Sequence, residues 1–526
     1  GALVRKFKGA FSGEHGDGIV RGEWVEWQYG TRINEVFKEI KYVFDPDNLM
    51  NPGKIVHTPK MDDKSLFRLK PGYAMAPVAT ALDWSAWNVQ ADAVTDEVTA
   101  PGTGGDPALG LGKALEMCNN NGHCRKFDAG TMCPSFRVTR EEKHLTRGRA
   151  NTLRLALSGQ LSGTAAADAL ASDEVHDALD LCVSCKGCKR DCPTGVDMAK
   201  MKIEALSQYN HKHGLTLRTK LIAYLPHYAP RASSFAWVMN LRDTLPGGAW
   251  LSEKVAGFSA RRSLPRWGSA FTKSATPKQT GTSEVVLLAD TFNNYFESEN
   301  LKDALKVLEA AGYRVHLSAR PGERPLCCGR TFLASGLTEQ AKAEARRMLD
   351  ALLPFVERGV PVLGLEPSCL LTLRDEFLVY GFGEAAQRLA DHALLFEEFL
   401  AREADAGRLK LPLKALPEVR ALLHGHCHQK AFDAVKPVQK VLQLIPGLKV
   451  ELIESSCCGM AGAFGYEKDH IDVSMQMAEL SLLPAVRKAQ ADTLIVADGT
   501  SCRHQIKDGA AREVLHVARV LARALA

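Results

Sequence analysis

The chain has 526 residues, of which 45% are hydrophobic, and a formal net charge of +5 at pH 7. This length predicts three or four domains, and so small a charge gives no reason to expect nucleic acid binding. No apolar run reaches the ~18 residues of a membrane-spanning helix and no signal peptide opens the chain, so we expect a cytoplasmic protein, with peripheral association at the inner face of the membrane left open.

The first segment, residues 1–57, carries an acid and an imidazole inside a glycine-rich turn. Glu14 and His15 stand in the run Ser-Gly-Glu-His-Gly-Asp-Gly, a pattern compatible with a functional site or with a structural turn. From about residue 31 the spacing of hydrophobic residues predicts a helix that Asp45-Pro46 ends. The run Asn51-Pro-Gly-Lys follows.

These motifs resemble the C-terminal end of the flavin-linked D-2-hydroxyacid dehydrogenases, in the vanillyl-alcohol-oxidase class. The resemblance implies that Glu14 is a ligand of an active-site divalent metal, that His15 takes the proton of the substrate hydroxyl, and that Asn51 lies near the flavin. Most FAD-binding residues of this family lie upstream. Since the chain also begins without Met, we expect a fragment or processed product that does not hold FAD by itself.

Residues 58–104 are predicted to be a linker because they show no sustained period. In the next region, residues 105–215, Cys182, Cys185, Cys188 and Cys192-Pro have the C-x2-C-x2-C-x3-C-P spacing of ferredoxins. There, three thiolates bind one [4Fe–4S] cluster and the fourth binds a neighbouring cluster. Zinc also uses C-x2-C spacing, but four cysteines so close together, followed by proline, favour iron–sulfur.

A first cysteine group, Cys118, Cys124 and Cys133-Pro, lies upstream of the ferredoxin-like run, and Asn121 stands where a C-x2-C-G-x-C template has its second cysteine. The C-x5-C spacing resembles the three-cysteine motif of succinate dehydrogenase iron–sulfur subunits. We therefore expect the cluster bound by Cys118 and Cys124, called cluster one, to be [3Fe–4S], or [4Fe–4S] with Asn121 or His123 as its fourth ligand. Alternatively, Asn121 is only a turn residue. In the ferredoxin pattern the fourth cysteine of each group binds the cluster of the other group, which we call the crossover rule. This rule assigns Cys133, Cys182, Cys185 and Cys188 to cluster two, and Cys118, Cys124 and Cys192 to cluster one.

A helix is predicted to open at Thr146-Arg-Gly-Arg-Ala-Asn and to run to about residue 161. Its basic first turn either donates hydrogen bonds toward a cluster or the flavin or is a solvated helix start. Residues 197–242 are predicted to be helical, and residues 216–280 form a helical connector.

The last part of the chain contains an internal repeat, residues 281–380 and 381–526. Predicted strands alternate with helices, which indicates α/β units with parallel strands, and cysteines stand just past strand ends, where such sheets place their sites. Phe292 or Asn293 of the first copy falls near the position of Cys427. The cysteines are Cys327, Cys328 and Cys369 in the first copy, and Cys427, Cys457, Cys458 and Cys502 in the second.

These copies resemble the cysteine-rich CCG domains of the glycolate oxidase iron–sulfur subunit and of heterodisulfide reductase. The resemblance implies that the cysteines bind iron–sulfur clusters or zinc, and the first copy has three cysteines where the second has four. His424, His426 and His428 alternate along a predicted strand from Ala421 to His426 and so face away from Cys427 if the strand continues. We expect structural roles for them, unless the strand ends early and His426 or His428 reaches a quinone or partner site.

Taken together, the motifs predict a multidomain α/β protein with a helical two-cluster ferredoxin-like module, a pair of CCG repeats and the remnant of a flavin-linked oxidase domain. The whole resembles fused flavin/iron–sulfur D-2-hydroxyacid dehydrogenases of the bacterial D-2-hydroxyglutarate type. The resemblance implies electron transfer from FAD through iron–sulfur clusters to a quinone or a carrier protein, with a homo-oligomer left open. The alternatives are D-lactate dehydrogenase, glycolate oxidase, an electron-transfer subunit of a separate flavoprotein, and a zinc-stapled interaction module.

Overall fold

The computed structural model describes residues 1–12, 16–69, 73–87, 106–126, 130, 132–161, 166–273, 275–278, 280–318 and 324–526. The chain divides into two compact units, Gly1–Ala74 and Met75–Ala526. Among the residues described, none of the helices has both the length and the apolar character needed to cross a bilayer.

The first unit is helical, and its longest helix is the one that the hydrophobic spacing predicts. That helix ends where Asp45 accepts hydrogen bonds from the backbone N–H groups of Leu49 (2.8 Å) and Met50 (2.9 Å), because these bonds close a turn just past the last helical residue. The helices are α1 (Ala2–Lys6), α2 (Val25–Tyr29) and α3 (Thr31–Phe44).

The second unit begins with a helical module that contains both cysteine groups. Side-chain caps set several helix starts: Ser172 accepts the backbone N–H of Val175, and Asp197 that of Lys200. Pro134, directly after Cys133, opens a helix with a backbone angle already suited to it. The helices are α4 (Leu111–Glu116), α5 (Pro134–Thr139), α6 (Thr146–Leu157), α7 (Ala166–Ala169), α8 (Asp173–Asp180), α9 (Gly187–Asp191) and α10 (Met198–His213).

A run of short helices joins this module to the sheets. Thr216 caps the first of them by accepting the backbone N–H of Thr219, and Pro226 stands in the first turn of the second. The helices are α11 (Leu217–Ala223), α12 (Leu225–Ser234), α13 (Ala236–Met239), α14 (Leu241–Thr244) and α15 (Gly248–Ala256).

Two parallel sheets form the rest of the second unit, and their strands confirm the predicted α/β pattern. The strands are β1 (Ser283–Leu287), β2 (Tyr313–Leu317), β3 (Val362–Gly364), β4 (Ala393–Leu395), β5 (Arg420–Leu423), β6 (Lys449–Leu452) and β7 (Leu494–Val496). The first sheet unit has the strand order β2-β1-β3-β4 and the second sheet unit has β6-β5-β7. Every strand pairing within them is parallel.

Helices cover the sheets, and one buried hydrophobic cluster contains residues of both, such as Val285 on β1 and Leu423 on β5. The two sheet units therefore share a core. Their helices are α16 (Thr291–Tyr295), α17 (Ser298–Ala310), α18 (Arg330–Ala334), α19 (Thr338–Val356), α20 (Pro367–Leu373), α21 (Glu384–His392), α22 (Phe396–Asp405), α23 (Cys427–Ala431), α24 (Val435–Gln443), α25 (Ile471–Glu479), α26 (Leu482–Lys488), α27 (Thr500–Ala510) and α28 (Val517–Arg523).

Candidate metal centres

The predicted substrate site lies in the first unit, and its two central residues, Glu14 and His15, fall outside the described residues. Asn51 is exposed in a turn with a positive backbone φ of 48°, and its side-chain oxygen is 3.4 Å from Lys54 Nζ. The roles of these three residues therefore stay predictions.

The cysteines assigned to cluster two meet in the helical module. Cys133, Cys182, Cys185 and Cys188 line a single cavity, together with side chains such as Thr146. Cys133 is far from the other three in sequence, and the fold brings it to them across α5 and α6. This is the grouping that the crossover rule predicts, and a donor set of four thiols around one cavity fits a [4Fe–4S] cluster.

Three residues at this cavity have left-handed backbone conformations although none of them is glycine. Cys133, Ser184 and Lys186 have φ values of 49°, 47° and 59°. Such conformations are uncommon for residues with a Cβ, and each persists where its surroundings hold it in place. The loops that carry the cysteines are therefore strained at the site where the four thiols meet.

The first turn of α6 donates hydrogen bonds to two thiols of the first cysteine group, in line with the first of the two alternatives given for this basic turn. The Thr146 backbone N–H donates to Cys133 Sγ (3.2 Å), and Thr146 Oγ1 lies 3.1 Å from the same sulfur. The backbone N–H of Arg147 donates to the Cys124 thiol. Donors of this kind stabilise thiolates and tune the potential of a bound cluster.

The site predicted for cluster one is only partly assembled by the described contacts. Burial raises the pKa of Cys124 to about 11, and the nearby Cys133 and Cys118 thiols contribute in the same direction. The Asn121 side chain is exposed. Its Nδ2 donates to Asn119 Oδ1 (2.6 Å), and its Oδ1 accepts the backbone N–H of His123 (2.8 Å). These local bonds favour the interpretation of Asn121 as a turn residue.

Cys192, the third cysteine assigned to cluster one, is half-buried, and its sulfur lies 3.3 Å from Thr194 Oγ1. Its place on cluster one stays a prediction, as does a ligand role for His123.

Buried ion pairs connect the loop of residues 182–188, which we call the cluster-two loop, to the first sheet unit. Lys186, between Cys185 and Cys188, is fully buried, and its Nζ lies 2.6 Å from Asp375 Oδ2 and 2.8 Å from a Glu376 carboxylate oxygen. Burial would raise the pKa of Asp375, but the lysines around it, Lys186 foremost, hold it well below its usual value. The spacing of the cysteine motif gave no sign of this network, since it depends on residues from a distant part of the chain.

We expect Lys186→Met to destabilise the second unit by about 3 kcal/mol, because Asp375 and Glu376 lose the fully buried cation that they share. Asp375 keeps its ion pairs with Lys189 and Lys200, and Glu376 keeps that with Arg330, which limits the loss.

The matched control is Lys189→Met. Lys189 also reaches Asp375, at 2.5 Å, but is about one-third exposed, so its loss should cost about 1 kcal/mol or less. Denaturant unfolding under anaerobic conditions, followed by circular dichroism, compares the two variants; equal losses would contradict a special role for Lys186.

In the first sheet unit, Cys327, Cys328 and Cys369 line a cavity together with Asp290. Asp290 caps α16 by accepting the backbone N–H groups of Phe292 (3.0 Å) and Asn293 (3.1 Å), and burial raises its pKa to about 7. The fold thus brings the three predicted cysteines of this unit together with a buried carboxyl group.

The structure also corrects the predicted alignment of the two sheet units. Strand β1 ends at Leu287 and α16 begins at Thr291, just as β5 ends at Leu423 and α23 begins at Cys427. The residue that corresponds to Cys427 is therefore Thr291, and not Phe292 or Asn293. This alignment of the two sheet units rests on the strand ends and on the helix starts that follow them.

In the second sheet unit, all four predicted cysteines are buried in one packed cluster. His424 joins them: one of its ring nitrogens, Cys458 Sγ and Cys502 Sγ all lie within 4.8 Å of one another. The expectation that His424 faces away from Cys427 applied only to a strand that continues, and this strand ends at Leu423, so the alternation of a strand does not apply to His424. No spacing in the sequence pointed to this contact, because Cys458 and Cys502 lie in segments far from His424 along the chain. The four cysteines are Cys427, Cys457, Cys458 and Cys502.

The other two histidines of this segment are also buried. His426 caps α23 by accepting the backbone N–H of His428 (3.1 Å). His428 Nε2 lies 3.1 Å from the carbonyl oxygen of Ser184, in the cluster-two loop. A quinone or partner contact for either histidine stays a prediction.

Hydrogen bonds among the four thiols of the second sheet unit lower the pKa of two of them, Cys427 and Cys458, and together with burial hold the pKa values of Cys457 and Cys502 well above the usual value. A hydrogen bond with Cys457 lowers the pKa of Cys427 to about 6, and hydrogen bonds with Cys457 and Cys502 hold that of Cys458 well below its usual value. Burial lowers the pKa of His424 to about 4, so its ring is neutral at pH 7. Thiolates and a neutral imidazole are the forms in which these side chains bind metals.

The cluster-two loop packs directly on this second candidate centre. Cys185 belongs to the same buried cluster of side chains as Cys427. Burial raises the pKa of Cys185 well above its usual value, and the Cys427 thiol is the next largest cause. A metal group in each place would therefore be a direct neighbour of the other.

Three parts of the chain match known protein families. Residues 1–55 match the C-terminal domain of FAD linked oxidases, residues 114–196 match a 4Fe-4S dicluster domain, and residues 421–507 match a cysteine-rich domain, the CCG family. The three kinds of domain predicted from the motifs are confirmed.

Curated relatives include D-2-hydroxyglutarate dehydrogenases and iron–sulfur subunits. The D-2-hydroxyglutarate dehydrogenase of Escherichia coli (strain K12) is 26% identical over 571 residues, which cover 99% of this chain and 52% of the relative. One subunit of the anaerobic glycerol-3-phosphate dehydrogenase of the same organism is 28% identical over 317 residues, with 59% and 78% covered. Its glycolate oxidase iron-sulfur subunit is 22% identical over 435 residues, with 80% and 96% covered.

The chain spans about half the length of the D-2-hydroxyglutarate dehydrogenases it matches. Its homologues are FAD-linked oxidoreductases that act on CH–OH groups, and iron–sulfur subunits. The chain combines the C-terminal domain of FAD-linked oxidases with iron–sulfur and cysteine-rich domains.

Proposed function

We propose that the chain is the electron-transferring half of an FAD-linked dehydrogenase that oxidises a D-2-hydroxyacid, with D-2-hydroxyglutarate to 2-oxoglutarate as the first choice. The observation that carries this proposal is the cavity in which Cys133 meets Cys182, Cys185 and Cys188, in a chain that also has an FAD-oxidase C-terminal domain. The match to a D-2-hydroxyglutarate dehydrogenase along 99% of the chain supports the substrate.

In this proposal the first unit contributes to the substrate site. FAD, held mainly by an upstream part of the protein, supplies the hydride acceptor. His15 accepts the proton of the substrate hydroxyl as the hydride leaves, and an imidazole has the pKa for this near neutrality. Glu14 holds a divalent metal ion against the substrate oxygen, and Asn51 lies near the flavin.

The helical module then holds two iron–sulfur clusters, which supply one-electron transfer. Cys133, Cys182, Cys185 and Cys188 hold a [4Fe–4S] cluster, and the N–H of Thr146 stabilises a sulfur of this set. Cluster one is [3Fe–4S], or [4Fe–4S] with His123 or Asn121 at its fourth corner, on Cys118, Cys124 and Cys192. The local hydrogen bonds of Asn121 favour a turn role for that side chain over a ligand role.

The two sheet units are, in this proposal, copies of one CCG domain. Iron–sulfur clusters in them would pass electrons toward a quinone or a carrier protein, whereas zinc in either copy would have a structural role. The shared central strand order, β2-β1-β3 and β6-β5-β7, supports the repeat. The contact between Cys185 and the second sheet unit supports this direction of transfer. The proposed ligands are Cys327, Cys328 and Cys369 in the first copy and Cys427, Cys457, Cys458 and Cys502 in the second.

A second candidate function is an iron–sulfur subunit that serves a separate flavoprotein. The similarity to subunits of glycolate oxidase and of anaerobic glycerol-3-phosphate dehydrogenase favours it. The Glu14-His15 segment favours the first candidate, because an electron carrier needs no substrate base.

The proposal is tested with the chain joined to its FAD-binding part and purified without oxygen. We expect D-2-hydroxyglutarate to bleach the flavin absorbance and then to change the electron paramagnetic resonance signals of the clusters, while L-2-hydroxyglutarate, the control, does neither. If D-lactate or glycolate bleached the flavin and D-2-hydroxyglutarate did not, the result would favour D-lactate dehydrogenase or glycolate oxidase, respectively. If the clusters were reduced only when a separate flavoprotein was added, the result would favour the iron–sulfur subunit. A colourless protein would favour the zinc-stapled interaction module.

A further inference from the structure

Three helices of the connector, α13, α14 and α15, are described in full and contain no buried residue. A helix at the surface of a protein normally turns its large apolar side chains toward the core, but here they are turned to solvent. Trp237, Trp250 and Val255 are 70%, 59% and 62% exposed. The most exposed apolar side chains of this stretch, which we call the apolar surface of the connector, are Phe235, Trp237, Leu245, Trp250, Leu251 and Val255.

Polar side chains of the same stretch are turned toward the protein instead. Hydrogen bonds of 2.6–3.0 Å join four of them to backbone groups of residues 259–267. The four side chains are those of Asn240, Arg242, Asp243 and Glu253. Turning the apolar side chains inward would leave these backbone groups without their partners, which costs free energy. An exposed apolar face that is held in place in this way marks an interaction site.

The connector is strongly basic as well. Residues 216–280 contain ten lysines and arginines but two acidic residues, whereas the whole chain has a net charge of only +5, so the rest of the chain is net negative. Arg231 and Lys254 are exposed, and neither has an ion-pair partner within the described part of the chain. Arg231 stands four residues before Phe235, and Lys254 stands four residues after Trp250. In a helix this spacing brings a basic side chain next to an apolar one.

We propose that the apolar surface of the connector attaches the chain to a lipid bilayer that contains anionic lipids. Tryptophan is enriched at the depth of the headgroups in membrane proteins, and this is where Trp237 and Trp250 lie in the bound state. Arg231 and Lys254 then interact with the anionic headgroups. Helices that lie on a bilayer combine basic residues with Trp, Phe and Leu in the same way. The inference goes beyond the proposed function, because it needs neither the flavin reaction nor the clusters.

The charge pattern favours a bilayer over a protein as the occupant of this surface. The buried centre of a protein interface is depleted in charged residues, whereas exposed basic side chains stand among the apolar ones here. A second copy of the chain would bring the same positive charges together, which opposes association. An anionic bilayer attracts this surface and repels the net negative remainder of the chain, so it also selects which side of the protein faces the lipid.

The test is co-sedimentation of the 526-residue chain, purified without oxygen, with lipid vesicles. We expect binding to vesicles of phosphatidylcholine and phosphatidylglycerol in equal amounts, with a blue shift of the tryptophan fluorescence. Vesicles of phosphatidylcholine alone should bind more weakly, and added salt should weaken binding to the anionic vesicles.

Two double variants separate the apolar contribution from the charged one. Trp237→Ser/Trp250→Ser should weaken binding to the anionic vesicles by about 10–100-fold, because two large side chains no longer enter the lipid. Arg231→Gln/Lys254→Gln should weaken it by about 10–30-fold, since each positive charge near an anionic bilayer contributes about fivefold. Both variants should keep their circular dichroism spectra and iron content, because all four side chains are exposed.

The matched control is Val419→Ser/Lys449→Gln, which replaces an exposed apolar and an exposed basic residue at the starts of β5 and β6. This variant should bind vesicles as the unaltered chain does. If the unaltered chain did not bind anionic vesicles, or if the tryptophan variant bound them as well as the control, the inference would be wrong. A dimer or protein complex that dissociates in the tryptophan variant, without vesicle binding by the unaltered chain, would assign the surface to a protein and overturn the inference.

Discussion

Replacing His15 by alanine should slow flavin reduction by D-2-hydroxyglutarate about 10²–10⁴-fold in the protein that includes its FAD-binding part, because that is the usual contribution of a positioned base. The hydride leaves the substrate carbon only as the hydroxyl loses its proton, so the loss should appear in the reductive half-reaction. Stopped-flow absorbance under anaerobic conditions measures this step directly.

The control for this variant is His57→Ala, which removes an exposed histidine from the same unit. FAD content and cluster spectra should be unchanged in both variants, since neither residue belongs to the module that holds the cysteines. Glu14→Ala should lower the affinity for the divalent metal and the activity together. Rapid flavin reduction in His15→Ala would leave His15 as a structural turn residue.

Replacing Cys133 by serine should remove cluster two, about four irons per chain, because a [4Fe–4S] cluster depends on four thiolates. In the structure Cys133 shares a cavity with Cys182, Cys185 and Cys188, and Thr146 donates to its sulfur. Iron analysis and electron paramagnetic resonance of the chain, purified without oxygen, measure the loss.

The comparison variant is Cys118→Ser, which should affect cluster one and leave the signal of cluster two. The crossed assignment makes this pair decisive, since Cys118 and Cys133 belong to the same cysteine group in sequence. If Cys133→Ser removed the signal of cluster one and kept that of cluster two, the two groups would each hold their own cluster and the assignment would be wrong.

Features that depend on neighbouring residues were predictable from the sequence. The helix from about residue 31 to Asp45 is present as α3, and the predicted strands pair in parallel within two sheets. The ferredoxin spacing predicted which distant cysteine joins Cys182, Cys185 and Cys188, and the fold brings Cys133 there. Hydrophobic periods and ligand spacings are properties of short segments, so they can be identified before the fold is known.

Other features follow from contacts between distant segments. His424 belongs to the cysteine cluster because the pairing of β5 with β6 and β7 stops at Leu423, and no local pattern states where a strand loses its partners. Lys186 is buried because the first sheet unit brings Asp375 and Glu376 to it. Local spacing thus determined which residues are able to bind metal, whereas tertiary packing decided which of them meet, because burial and strand ends depend on partners far away in the chain.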